Sequence, residues 1–161
     1  MQKFISLAYT VFLMSAVFAQ APGAITAAQA FNLSGNRLAN EGYDPVCYFT
    51  KNKAIKGQAS ITASDKGITY RFVSQANKNA FLANPAKFEP QYGGWCAYAM
   101  GATGEKVEVD PETFKIVNGK LYLFYNKFFN NTLKSWNKDE AGLKKKADVN
   151  WSKLYTPNKN Q

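Results

Sequence analysis

Residues 92–100 read Tyr92-Gly-Gly-Trp-Cys-Ala-Tyr-Ala-Met100, and they hold one of the two cysteines, one of the three tryptophans and one of the three methionines of the chain. The other cysteine lies upstream, in a second aromatic cluster that reads Asp44-Pro-Val-Cys47-Tyr-Phe49. Thiol, thioether and aromatic side chains either pack a core or hold soft and planar ligands. We therefore expect any chemistry of this protein where the two stretches meet.

The composition is that of a globular protein with one core. Of 161 residues, 46% are hydrophobic and 15% aromatic, which is enough for a single domain. The net charge of +9 comes from 20 basic and 11 acidic residues. Only Arg37 and Arg71 are arginines, the side chain preferred for bidentate recognition of bases and phosphates. We interpret the charge as a solvated surface and expect no nucleic-acid partner.

The chain contains no histidine. This excludes Ser-His and Cys-His nucleophile pairs, His-ligated haem and the histidine-containing zinc sites. Acid–base catalysis would fall to carboxylates, tyrosine or lysine. Asp44 and Asp110 each precede a proline, a position more typical of turn formers and caps than of an acid–base pair. We assign no catalytic residue and favour a binding protein over an enzyme.

The first 19 residues have the pattern of an export signal. Lys3 is followed by an apolar run from Phe4 to Phe18, and Val17-Phe-Ala19 offers small residues at the positions before a cleavage site. The run is short for a transmembrane helix. We predict cleavage after Ala19 and a periplasmic or secreted mature protein without a membrane span.

Export leaves three interpretations of the two cysteines open. In an oxidising compartment Cys47 and Cys96 are a candidate disulfide, and a bridge closing a loop of about fifty residues would stabilise the fold by about 4 kcal/mol. They could instead be two separate buried thiols. In the third, Cys47 and Cys96 are thiolate ligands of a soft metal, copper, with Met100 as an auxiliary thioether one helical turn after Cys96. A thiol redox enzyme is a weaker alternative because there is no Cys-x-x-Cys motif.

Aromatic side chains beside the cysteines suggest a second type of site. Tyr43, Tyr48, Trp95 and Tyr98 could line a pocket for a small planar ligand, with hydroxyl and indole N–H groups to orient it. The alternative is ordinary core packing. The pair Gly93-Gly94 either admits a ligand close to the backbone or serves a tight turn.

The local patterns predict an α+β fold, a small antiparallel sheet with helices packed on it. It forms one domain over residues 41–155, after a leader at 20–40 and before a disordered tail at 156–161. Alternation and turn residues predict strands at 46–50, 59–63, 68–73 and 106–109, and a hairpin at 114–125 around Asn118-Gly119. Caps and helical spacing predict helices at 74–84, 95–100 and 139–149, and place Phe129, Leu133 and Trp136 on one helical face.

Several of these pieces resemble the YHS domain, a small module named for a Tyr-His-Ser motif. They are Asp44-Pro-Val-Cys47, Tyr70-Arg-Phe-Val-Ser74 and Phe81-Leu-Ala-Asn-Pro85. The longer pattern is similar to exported bacterial YHS-domain proteins, through Gly42-Tyr-Asp-Pro45, Tyr92-Gly-Gly-Trp-Cys-Ala-Tyr98, Asp110-Pro-Glu112, Asn118-Gly-Lys-Leu-Tyr-Leu123 and Ala147-Asp-Val-Asn-Trp151. The resemblance covers about residues 40–154.

The resemblance implies a small binding module found in metal-handling proteins, such as copper-transporting ATPases, where cysteines are the presumed ligands. This chain departs from that pattern. Cys47 matches the first family cysteine, but Val73 and Asn77 stand where others are expected, and there is no histidine. A cysteine-rich metal cage cannot be assembled here. What remains implied is a non-enzymatic module that takes a soft metal or a small ligand near Cys47 and Cys96. The alternative is a structural or interaction domain that binds no metal and in which Cys47 and Cys96 form a disulfide.

Overall fold

The computed structural model of the chain describes residues 25–157. The predicted signal peptide at 1–19, the start of the predicted leader at 20–24 and the last residues of the predicted tail at 158–161 lie outside the described residues.

Short helices and strands alternate along the described chain. The helices are α1 (Ala27–Ala30), α2 (Pro45–Lys51), α3 (Gln75–Ala83), α4 (Pro85–Phe88), α5 (Ala97–Ala102), α6 (Thr132–Trp136) and α7 (Glu140–Leu154). The strands are β1 (Leu33–Ser34), β2 (Leu38–Ala39), β3 (Gln58–Asp65), β4 (Ile68–Phe72), β5 (Asp110–Val117), β6 (Lys120–Phe124), β7 (Asn126–Lys127) and β8 (Asn130–Asn131). Single 3₁₀ turns occur at Gly35–Arg37, Asn40–Gly42 and Gln91–Gly94.

The main sheet has the strand order β1-β2-β4-β3. β3 and β4 match two predicted strands and pair as an antiparallel hairpin, whereas β2 joins β4 in parallel at Leu38 and Thr69. Two further antiparallel pairs, β5–β6 and β7–β8, stand apart from this sheet. The α+β prediction is confirmed, with a main sheet that is mixed.

The segment predicted to be a leader is packed into the domain from residue 27 onward. Ala27 and Ala30 of α1 are buried, and β2 adds a strand to the main sheet. The indole N–H of Trp95 donates a hydrogen bond to the Ala30 carbonyl oxygen, 2.8 Å away. The domain therefore includes residues ahead of position 41.

The first core lies on the inner face of the main sheet. The alternation in β4 is as predicted, with Ile68, Tyr70 and Phe72 buried and the residues between them half-buried. Their side chains pack against Phe81 of α3 and Phe88 of α4. Because strand side chains alternate in direction, this one strand supplies three buried side chains to one face.

The second core lies beneath the β5–β6 hairpin. Its buried members are Tyr92, Ala97, Met100, Tyr122, Phe124, Trp136, Leu143 and Ala147. They join α5, α6 and α7 to β6. The predicted Asn118-Gly119 turn is present, with φ of 50° and 69°, the positive pair that a type I′ turn requires.

Three sequence predictions of local structure are wrong. Residues 46–50 belong to helix α2 and not to a strand, because Asp44 accepts a hydrogen bond from the Val46 N–H and Pro45 opens the first turn. Residues 106–109 have no strand partner. Residues 126–131 form the β7–β8 hairpin, so Phe129 lies on a turn and helix α6 begins only at Thr132.

Candidate functional site

Cys96 is a buried thiol at the N-terminal end of α5. Its sulfur accepts a hydrogen bond from the Tyr125 N–H at 3.4 Å and lies 3.3 Å from the Thr132 hydroxyl oxygen. The Thr132 hydroxyl donates its own proton to the Tyr125 carbonyl oxygen, 2.9 Å away. Since a hydroxyl has one proton to donate, the Cys96 S–H is the donor in the contact with Thr132.

A cavity of about 280 Å³ adjoins Cys96, between α5, the segment that follows it and the β7–β8 hairpin. Its walls are mainly apolar, and polar groups are few. The lining residues are Cys96, Tyr98, Ala99, Ala102, Thr103, Glu105, Val107, Tyr125, Asn130 and Thr132. A concave, mainly apolar space with a few polar groups is the usual form of a small-molecule site.

Cys47 lies in a different environment, inside helix α2. It is fully buried, and its sulfur accepts a hydrogen bond from the Asn77 side-chain N–H at 3.4 Å. Burial, and then the neighbouring Asp44 carboxylate, raise the pKa of this thiol to about 11. Cys47 therefore stays protonated at neutral pH, because both effects disfavour a second negative charge.

The structure does not assemble the predicted metal site. Cys47 and Cys96 are free thiols with different hydrogen-bond partners, and no disulfide joins them. Met100 packs among the side chains of the second core, whereas Cys96 packs with Tyr48, Val109, Leu121 and Leu123. Within residues 25–157, no group of three or more Cys, Asp or Glu side chains is placed to hold a metal ion. Because a copper site needs converging thiolates, these residues do not fit one.

Of the four aromatic side chains predicted to orient a ligand, only Tyr98 lines the Cys96 cavity. Tyr48 is fully buried and donates to the Pro111 carbonyl oxygen at 2.9 Å, and burial raises its pKa. Trp95 uses its N–H on Ala30, as described above. The polar groups of Tyr48 and Trp95 therefore already make hydrogen bonds within the protein.

The Tyr43 side chain contacts two charged side chains, Glu112 and Lys56. Its hydroxyl donates to a Glu112 carboxylate oxygen at 2.8 Å, and the Lys56 ammonium lies 4.2 Å from its ring centroid. The hydrogen bond to Glu112, together with partial burial, raises the pKa of Tyr43 to about 12. This hydroxyl is also satisfied by the protein.

The Gly93-Gly94 pair serves a turn. Both residues have positive φ, of 60° and 82°, in the 3₁₀ turn before Cys96. A Cβ atom at Gly93 would lie 2.8 Å from the rings of Phe31 and Trp151. The pair therefore provides a tight turn and leaves room for two aromatic rings. Of the two roles suggested by the sequence, the structure shows the turn.

The two aspartates that precede prolines are caps. Asp44 caps α2, and Asp110 accepts hydrogen bonds from the Glu112 N–H at 3.0 Å and the Thr113 hydroxyl at 2.9 Å. Each carboxylate serves a local turn or cap, as the sequence favoured, and the second oxygen of Asp44 also accepts hydrogen bonds from the distant Val73 N–H and Asn77 side chain.

Sequence reasoning missed the part of the Cys96 cavity formed by the β7–β8 hairpin and the residues on either side of it, which are Tyr125, Asn130 and Thr132. The helical spacing of apolar residues across 129–136 predicted a helix where the chain forms a hairpin. The available signal was Asn130-Asn131 immediately before a helix, since asparagine is a favoured cap. Asn131 does accept a hydrogen bond from the Leu133 N–H, at 3.1 Å.

A second cavity, of about 340 Å³, lies between the Asn40–Gly42 and Gln91–Gly94 turns and contains none of the predicted site residues. Asn40 lines it and is buried, and its side-chain nitrogen has no hydrogen-bond partner in the described part of the chain.

No helix within residues 25–157 is both long enough and apolar enough to cross a membrane. Comparison with known proteins finds no matching protein-family model, no matching curated protein and no matching solved structure.

Proposed function

We propose that this chain is an exported, non-enzymatic binding module that takes a small, mainly apolar ligand in the cavity beside Cys96. One observation carries the proposal: Cys96 and Tyr98, two residues singled out from the sequence, line the same cavity. The YHS resemblance agrees with a small binding module and remains a prediction.

The chemistry of the cavity wall indicates the ligand class. Ala99, Ala102 and Val107 give aliphatic surface, and the rings of Tyr98 and Tyr125 add flat aromatic surface. Such walls favour a compact planar or branched apolar molecule. The Asn130 amide supplies a polar group that could orient it. A volume near 280 Å³ suits a small molecule.

The chemistry of the other candidate groups supports binding over catalysis. Cys47 is held as a neutral thiol, and a nucleophilic cysteine needs a lowered pKa. The carboxylate of Asp44 is buried and bonded to three N–H donors. Neither the Cys47 thiol nor the Asp44 carboxylate lines the Cys96 cavity. Neither group is therefore placed to act there as an acid, base or nucleophile.

Filling the cavity is expected to weaken ligand binding without unfolding the domain. A library of small apolar and aromatic compounds is screened by thermal shift on the mature chain, and the hits are titrated by calorimetry. Ala99→Leu adds three carbons to the cavity wall. We expect it to weaken the binding of each hit at least about tenfold, because a ligand would lose the space that it occupies.

Ala83→Leu is the matched control. Ala83 is an exposed residue at the end of α3 and does not line this cavity, so the same change there should leave every dissociation constant unaltered. Hits that bind Ala99→Leu as tightly as the unaltered chain, or a library that yields no hit, would contradict the proposal.

A further inference from the structure

Three hairpins of this protein turn through two residues that both have positive φ. The turn pairs are Lys66-Gly67 at 49° and 76°, Asn118-Gly119 at 50° and 69°, and Phe128-Phe129 at 51° and 63°. The flanking strand residues pair directly in each case, which is the type I′ geometry. The first two turns use glycine at the second position, where it is preferred. The third has two phenylalanines.

Phe128-Phe129 is unfavourable in this place for two separate reasons. Positive φ is strained for a bulky side chain. In addition, Phe128 is 87% exposed and Phe129 111% exposed, the most exposed of the large apolar side chains in the described chain. Only ten residues earlier, Asn118-Gly119 forms the same type of turn, with residues that adopt positive φ more readily than phenylalanine does. An apolar pair held out in water at the tip of a strained turn indicates a surface that is covered by a partner.

The chain has a net charge of +9, and residues 113–138 contain five lysines and no acidic residue. One of these lysines, Lys115, is paired with Glu140, and the hairpin residue Asn126 donates a hydrogen bond to Asp110 at 3.4 Å. Lys127 directly precedes the two phenylalanines, and Lys134 follows in α6. The nearest acidic contact of Lys127 is Glu108, at 3.8 Å, and both side chains are largely exposed, so this pair is weak. The partner that complements this surface is anionic.

The shape of the tip favours a lipid surface over a protein. A protein interface of ordinary size buries about 800 Å² on each partner over a broad area. Here the apolar surface is two side chains on a projecting two-residue turn. Aromatic side chains with lysines around them match the interfacial zone of a bilayer, where the rings enter the headgroup region and the cations meet lipid phosphates.

We propose that the β7–β8 hairpin anchors the protein peripherally to an anionic lipid bilayer by inserting Phe128 and Phe129 into the headgroup region, with Lys127 and Lys134 facing the lipid phosphates. This surface is separate from the ligand-binding proposal, since neither phenylalanine lines the Cys96 cavity. It requires no membrane-spanning segment.

The test is the double variant Phe128→Asn with Phe129→Gly, which installs the turn pair found at residues 118–119. Binding is measured by co-sedimentation with phosphatidylcholine vesicles that contain or lack phosphatidylglycerol. We expect the unaltered chain to bind the anionic vesicles and to be released by salt. The double variant should lose at least about tenfold in partition coefficient, because two apolar side chains no longer leave water. Its melting temperature should rise by roughly 2 to 6 °C, since the strain is removed.

A raised melting temperature with lost vesicle binding cannot arise from misfolding. Leu82→Asn, which removes another exposed apolar side chain on α3, is the control and should bind as the unaltered chain does. A Phe129→Trp variant should show a blue-shifted emission on anionic vesicles. Equal binding of the double variant, no binding by the unaltered chain, or phenylalanine-dependent self-association in place of vesicle binding would each overturn the proposal.

Discussion

Replacement of Asp44 by alanine is expected to lower the free energy of unfolding by about 3 to 5 kcal/mol, because it leaves buried polar groups without a partner. The Asp44 carboxylate is fully buried. One oxygen accepts from the Val46 N–H at 2.8 Å, and the other accepts from the Val73 N–H and the Asn77 side chain, each at 2.8 Å. This single side chain connects the start of α2, the end of β4 and α3. Urea unfolding measures the change.

Two variants separate this role from simple helix capping. Asp139→Ala removes an exposed cap whose oxygen accepts only from the Gly142 N–H, and should cost about 1 kcal/mol. Asp44→Asn keeps the shape but turns one acceptor into a donor that faces other donors, so it should fall close to Asp44→Ala. If Asp44→Ala costs no more than Asp139→Ala, the carboxylate does not hold the three elements together.

Replacement of Gly101 by alanine is expected to destabilise the domain by about 2 to 3 kcal/mol through overpacking. α5 and α7 pack closely at Gly101, where a Cβ atom would lie 2.5 Å from the Leu143 carbonyl oxygen and 3.0 Å from its carbon. These are backbone atoms, which cannot move without shifting α7. Thermal unfolding followed by circular dichroism measures the loss.

Gly35→Ala is the matched control, because a Cβ atom there meets nothing within 4 Å. This variant should change the free energy of unfolding by less than about 0.5 kcal/mol. Similar losses in the two variants would show that the α5–α7 contact is not as close as described.

Much of the fold could be predicted from local patterns because those elements are determined locally. The alternation from Ile68 to Phe72 sets which side chains of β4 are buried, and Asn118-Gly119 selects a type I′ turn by its backbone preference. Ser74 accepts a hydrogen bond from the Asn77 N–H and so starts α3, as predicted.

The failures occurred where tertiary contacts or a cap outweigh propensity. Residues 46–50 are rich in β-formers, but the Asp44 cap and Pro45 start a helix there. The segment before residue 41 has little periodicity, and its pairing with β4 depends on long-range packing that a local pattern does not show. Phe129 satisfied a helical spacing while the backbone formed a hairpin.

The candidate site was predictable only in part, for the same reason. The sequence singled out Cys96 and Tyr98, which line one cavity. It could not separate Cys47 from them, because the distance between two cysteines depends on the fold. The burial of Cys47 against Asn77 and Asp44 is a property of packing between α2 and α3.

The most direct test of this account is thiol mapping with methyl methanethiosulfonate, a reagent small enough to enter the Cys96 cavity. The folded chain is treated near pH 8 and each cysteine is quantified by peptide mass spectrometry. The same is done after denaturation without a reductant.

We predict that Cys96 is modified in the folded chain while Cys47 is protected. Both thiols are buried, but Cys96 lines a cavity that a small reagent can enter, whereas burial and the Asp44 carboxylate raise the thiol pKa of Cys47 to about 11. Both should react once the chain is denatured. Equal or faster modification of Cys47 in the folded chain, or two unreactive cysteines after denaturation, would contradict the account, since the second result means a disulfide.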